Sequence, residues 1–153
     1  MSLLGKAALA MWWDMSISRR SEFEHWHTHE HFPERLGIPG FRRATRWTSA
    51  DGEEGIFVMY ELDDYEVLAS PPYLARLNAP TAWSTRLMPE HRNMVRAQCR
   101  VVESGGINTA RHGLTMRLSP AAGRDDQLRA AIHLMTEHIP LQAGLAGLHL
   151  VHK

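Results

Sequence analysis

One cysteine, Cys99, is the only thiol in the 153-residue chain, which excludes an intrachain disulfide and any zinc site built from cysteines alone. Net charge is also missing. Lys plus Arg and Asp plus Glu stand at 17 each, so no overall field draws the protein to nucleic acid or anionic lipid. No stretch approaches the ~20 apolar residues of a membrane span. The opening Met1-Ser2-Leu3-Leu4-Gly5-Lys6 lacks the long apolar core of a secretory signal, so a cytoplasmic location is expected. Glycine-rich phosphate loops, nucleophile elbows and Walker patterns do not occur. With 44% hydrophobic and 22% charged residues, the balance is that of a globular protein able to bury a core. What the chain does have is histidine, ten in all, and five tryptophans. Four of the histidines fall between residues 25 and 31.

The pattern along the chain predicts an alternation of strands and helices. Residues 7–15 are apolar on both faces, as a central strand would be. Ser16 and Ser18 are candidate N-caps for a helix from about Arg19 to His31, which Pro33 and Gly37-Ile38-Pro39-Gly40 should end. Residues 41–48 alternate Phe41, Arg43, Thr45 and Trp47 against Arg42, Ala44, Arg46 and Thr48. Asp51-Gly52 signals a hairpin, with Ile56 to Leu62 as its second arm. A helical region from Asp64 to Leu77 must break at Ser70-Pro71-Pro72, and a further turn lies near Trp83 to Met88. Met94 to Glu103 reads as a strand and Ser104-Gly105-Gly106 as a linker. Residues 1–106 therefore have the order β-α-β-β-α-β, a ferredoxin-like α+β unit with an antiparallel sheet.

Residues 107–153 begin the order again: a strand at Gly113–Leu118, a helix from Asp125 to about His138 and a strand at Leu145–His152. Glu30-His31-Phe32-Pro33 and Glu137-His138-Ile139-Pro140 align at a shift of 107, which also brings Gly37 onto Gly144 and Gly40 onto Gly147. The helices upstream match less well, since Phe23 and Trp26 fall opposite Ala130 and His133. An incomplete β-α-β copy leaves an edge and an apolar face open, so it should pack on the first unit or on a second chain.

The densest chemistry is Phe23-Glu24-His25-Trp26-His27-Thr28-His29-Glu30-His31. On a helix His25 and His29 share a face, as do His27 and His31, and such pairs can bind a metal ion. No third ligand stands nearby in sequence, so no metal or cofactor is assigned. The core-facing stripe should follow Phe23, Trp26, His27 and Glu30, with His31 adjacent. Polar groups turned toward a sheet either pair with one another or line a wet cavity. His31 could equally cap a helix C-terminus. Trp12, Trp13, Trp47, Tyr60 and Trp83 could furnish aromatic walls, or simply core. Arg42, Arg43 and Arg46 are expected at solvated strand positions, although one could fix a carboxylate ligand by a two-pronged contact, and Cys99 is expected as a buried small hydrophobe.

His27-Thr28-His29-Glu30-His31-Phe32-Pro33-Glu34-Arg35-Leu36, followed by Ile38-Pro39-Gly40-Phe41-Arg42-Arg43-Ala44, resembles the helix-to-strand signature of the dimeric α/β-barrel superfamily, and most closely its EthD-like branch. The stretch Tyr60-Glu61-Leu62…Leu68-Ala69-Ser70-Pro71-Pro72-Tyr73-Leu74 resembles uncharacterised bacterial members. The resemblance implies a homodimer and a ligand cavity between sheet and helices. His31 matches the recurrent histidine of that superfamily, and His138 is its counterpart in the second copy. Members include cofactor-free monooxygenases, muconolactone isomerases, haem enzymes and stress-response proteins, so fold alone cannot choose the chemistry.

Three expectations follow. The first is a cofactor-free enzyme acting on a hydrophobic or aromatic small molecule, with His31 as acid or base, Glu30 and Tyr60 assisting, and Trp12, Trp26, His27, Trp47 and His138 contacting the ligand. The second is a non-catalytic ligand-binding or stress-related dimer. The third is a metal or haem protein using the His25–His31 cluster. None of them calls for nucleic acid or a membrane.

Overall fold

The computed structural model describes residues 3–107, 109–138 and 142–153. Its elements run β1 (Ala7–Asp14), α1 (Ile17–Trp26), a π-helical turn (His27–His31), α2 (Phe32–Leu36), β2 (Phe41–Thr48), β3 (Gly55–Leu62), a 3₁₀ turn (Tyr65–Ala69), α3 (Pro71–Asn78), α4 (Ala82–Leu87), β4 (Arg92–Gly106), α5 (Asp125–His138) and β5 (Gly147–His152). The sheet order is β2-β3-β1-β4-β5, with β1 antiparallel to both β3 and β4, and β2 antiparallel to β3. This is the expected ferredoxin-like α+β arrangement. β1 lies between β3 and β4, the central place expected for it. Among the described residues no helix is long and apolar enough to cross a membrane.

The chain divides into two compact units, Leu4–Val101 with Val151–Lys153, and Val102–Leu150 with the N-terminal Leu3. In the larger unit Leu9 and Trp13 of β1, and Ile56, Val58, Tyr60 and Leu62 of β3, pack against Phe23 and Trp26 of α1. Burying these side chains removes the apolar area that drives folding, at roughly 25 cal/mol per Å². Ser70 divides the helical region at the two prolines, ending the 3₁₀ turn and capping α3 by accepting from the Tyr73 N–H. Gly40 turns the chain into β2 with φ +94°, and a Cβ there would meet Val67 Cγ2 at 2.4 Å, so glycine is required.

Four expectations need correction. Pro33 does not end the first helix. The helical path continues to Leu36 because the preceding turn widens: the Phe32 N–H donates to the His27 carbonyl five residues back. His31 therefore sits inside the helical run and is not a C-cap. Second, β2 does not alternate in one phase. Its pairing with β3 shifts between Phe41 and Arg43, so Phe41 pairs with Leu62 and Ala44 with Tyr60, while Arg43 pairs with Glu61 on the other face. Third, Ser104-Gly105-Gly106 is no linker, since β4 runs through it. Fourth, Gly113–Leu118 forms no strand and is exposed. The smaller unit thus has α5 and the first part of β5 but not the first strand of a β-α-β copy. In it Glu103 accepts from the His133 ring at 2.9 Å, and His149 Nδ1 lies 2.9 Å from Ser104 Oγ. Ile139 and Pro140 of the repeat motif lie outside the described residues.

Candidate functional site

The π turn decides which side chains meet the sheet. From it His27 and His31 turn inward, 1% and 8% exposed, beside Trp26. The two imidazoles stack with ring centroids 5.4 Å apart, and the His31 ring lies 4.6 Å from the Trp26 indole. The Phe32 ring stands between His27, at 4.1 Å, and Tyr60, at 5.6 Å. His91, from the turn before β4, closes the group. Its ring lies 4.8 Å from Trp13, and its Nδ1–H reaches the Met88 carbonyl at 2.9 Å.

Arg46 crosses from β2 to this cluster. Its Nη1 donates to His27 Nδ1 at 3.2 Å and its Nη2 to Thr28 Oγ1 at 3.2 Å. A guanidinium only donates, so His27 Nδ1 must be the acceptor and its proton must sit on Nε2. Burial holds His27 well below the ordinary imidazole range, and His31, Arg46 and His91 add to this. Burial likewise pushes His31 down to about 3, helped by the Arg35 and His91 charges. Burial raises the Tyr60 phenol. At neutral pH the cluster is two uncharged, buried imidazoles and an un-ionised phenol, flanked by guanidinium groups.

Several buried polar atoms here have no hydrogen-bond partner among the described residues: His31 Nδ1, Glu34 Oε1, Arg35 Nη1 and the Tyr60 hydroxyl. Glu34 Oε2 is 3.8 Å from His31 Nδ1 and 3.7 Å from Arg35 Nη1, too far for a hydrogen bond to either. Each such group left unmatched costs about 1–3 kcal/mol. That pattern suits groups meant for water or ligand atoms better than groups meant only for packing.

Of the residues singled out from sequence, His31, His27, Trp26 and Tyr60 come together between helix and sheet. Glu30 does not join them. Its Oε1 accepts from the Trp26 indole N–H at 3.1 Å and from the Thr81 hydroxyl, tying the π turn to the start of α4. Trp12 and Trp47 lie on the opposite face of the sheet, flanking Phe57 with ring centroids 4.9 and 5.5 Å from it. His138 is the exposed last residue of α5, its Nδ1 2.7 Å from the Leu134 carbonyl. His25 and His29 are exposed with ring centroids 4.3 Å apart. Among the described residues no group of three or more His, Cys, Asp or Glu is placed to hold a metal ion.

Sequence reading missed Arg35, Glu34, Arg46 and His91. Arg35 had a signal, since it stands four residues after His31 on the same run, with a guanidinium 5.9 Å from the Tyr73 ring centroid. Arg46 had none, because the shifted pairing that turns it inward follows no residue type. Arg43 is likewise not a solvated strand position. It holds Glu61, itself 1% exposed, through two bonds of 2.7 and 2.9 Å, while the Leu4 N–H gives a third of 2.7 Å. Arg42 stays exposed, 3.4 Å from Asp63.

No protein-family model matches the chain, and no curated protein matches its sequence. Among solved structures it is similar to a dimeric ferredoxin-like protein from an uncultured marine organism, at 14% identity and TM-score 0.53, over 65% of this chain and 90% of that one. It is also similar to a cofactor-independent oxygenase from Streptomyces nogalater, at 17% identity and TM-score 0.47, over 74% of this chain and all of the other. A third is an EthD family protein from Bacillus halodurans, at 15% identity and TM-score 0.45, over 61% and 95% of the two chains. The first of these agrees with the fold built up from the strand pairing.

Proposed function

We propose that the chain binds a small hydrophobic or aromatic molecule between α1–α2 and the sheet, and acts on it without a cofactor by moving a proton to or from His31. The observation carrying this reading is the cluster of buried, unpartnered polar atoms on His31, Glu34, Arg35 and Tyr60. A neutral imidazole has a free ring lone pair for a substrate proton. Its low pKa makes it a weak base in the empty site. The anion left by deprotonation would stabilise the imidazolium that forms beside it, and Arg35 would stabilise that anion. Tyr60 would donate a hydrogen bond from its un-ionised hydroxyl, and Trp26 and His27 would supply flat walls. Glu30 serves this site by holding the π turn. An isomerisation, or an oxygenation in which the deprotonated substrate itself reacts with O2, begins with such a proton transfer.

Likeness to a dimeric protein supports a homodimer as the working assembly. A thermal-shift screen of aromatic and alicyclic compounds against the native protein and His31→Ala tests the reading. The expected result is a hit whose stabilisation is lost in the variant. Equal binding by both proteins would make His31 structural and leave a non-catalytic ligand-binding dimer as the better account.

A further inference from the structure

Beside the buried cluster an open cleft of about 500 Å³ lies between the α2–β2 turn and α3. Its walls are apolar: Pro33 and Pro39 with Ile38 on one side, Pro72 with Ala75 on the other. Two charged residues line it, Glu34 and Arg76. Glu34 is the residue that joins cleft and cluster. Its side chain is only 9% exposed, its Oε1 has no partner among the described residues, and its Oε2 faces Arg35 and His31 from 3.7 and 3.8 Å. Arg35, 8% exposed, therefore has a carboxylate nearby but no hydrogen bond from Nη1.

We propose that this cleft is a binding site for a small apolar carboxylate, whose carboxyl group displaces Glu34 and pairs with Arg35. A buried guanidinium gains most from a planar, two-pronged contact, which Glu34 does not make in its present position. Glu34 lines the open cleft, so its side chain can turn outward. Once it has, Arg76 at the cleft and Arg35, 3.7 Å behind the Glu34 carboxylate's present position, are the charges an entering group meets, and an anion is favoured over a cation. Arg76, exposed on α3, draws the anion toward the mouth. The prolines and Ile38 accept the apolar body without a large loss of side-chain freedom, since proline has little to lose. The proposal rests on the reading of the His31 region as the small-molecule site, and gives that site an approach and a preferred ligand charge.

Amide NMR titration at constant ionic strength tests it, with benzoate, benzamide and benzylamine as probes. Benzoate should shift the amides of Gly37, Ile38, Ala75 and Arg76 saturably, and bind about tenfold more tightly than benzamide. Glu34→Gln, which weakens the internal competitor for Arg35, should tighten benzoate about fivefold, and Arg76→Ala should weaken it about threefold. Three results would overturn the proposal: no saturable shift in the cleft, benzylamine binding as well as benzoate, or benzoate affinity that falls in Glu34→Gln. The functional reading is judged separately, by the His31→Ala screen. If benzoate behaves as stated while His31 proves dispensable, the cleft stands and the proton-transfer reading falls.

Discussion

His27 and His31 lie face to face, their ring planes 30° from parallel, and the second ring adds to burial in keeping the first uncharged. They form part of the hydrophobic interior only while neutral, which makes the fold sensitive to acid.

The unfolded chain takes up protons on these imidazoles near pH 6.5, whereas folded His31 resists protonation down to about 3. The unfolded state therefore binds more protons in that interval, and stability falls as pH drops from about 6.5 toward about 3. Each such ring contributes a slope of about 1.4 kcal/mol per pH unit. Urea unfolding through this range should show the decline, and His31→Gln should flatten it by about one ring. A stability curve with no slope there would contradict the neutral, buried assignment.

Tyr60→Phe should stabilise the protein by about 1 kcal/mol, because it deletes a buried hydroxyl with no partner among the described residues and keeps the ring that packs on Phe32 and Phe41. Tm from calorimetry checks this. The same variant should bind any ligand found in the His31 screen less well. A loss of stability instead would mean that the hydroxyl already has a structural partner.

Arg43→Ala should cost about 3 kcal/mol, since it strips the two-pronged contact from a carboxylate 1% exposed. Adding Glu61→Leu should recover most of that loss, as removing both members of a buried pair is far milder than removing one. Denaturant midpoints of the two variants decide it. A double variant no better than the single would show that Glu61 is held chiefly by its other contacts, such as the Leu4 N–H.

The fold was largely legible because its signals are local: Asp51-Gly52 at the hairpin, Ser70-Pro71-Pro72 between two helical pieces, β1 apolar on both faces. The site was half legible. Histidines at 27 and 31 with Trp26 announce an inward face, and four-residue spacing extends it to Arg35. Glu30 looked like a partner of His31 because sequence neighbours are easily taken for spatial ones; the indole of Trp26 and the hydroxyl of Thr81 claim it instead. Arg46, Trp12 and Trp47 were misjudged for a different reason. Whether a strand residue faces helices or the opposite side depends on the register of the whole sheet, and the shift between Phe41 and Arg43 reverses the phase without any marker residue. Gly113–Leu118 alternates well enough to suggest a strand, yet no neighbouring strand pairs with it among the described residues.

The widened turn at His27–His31 uncouples two things that a regular helix keeps locked together, the number of residues in the chain and the direction in which they point. Losing one residue there would let the segment rewind to α geometry with the flanking helical pieces close to their present phase, so only the side chains of the turn itself would change direction. Relatives that differ by a single residue at this turn would share the scaffold and present a different set of side chains to the sheet. In a lineage of such proteins, a one-residue insertion or deletion would change the side chains that meet the sheet while leaving the fold recognisable.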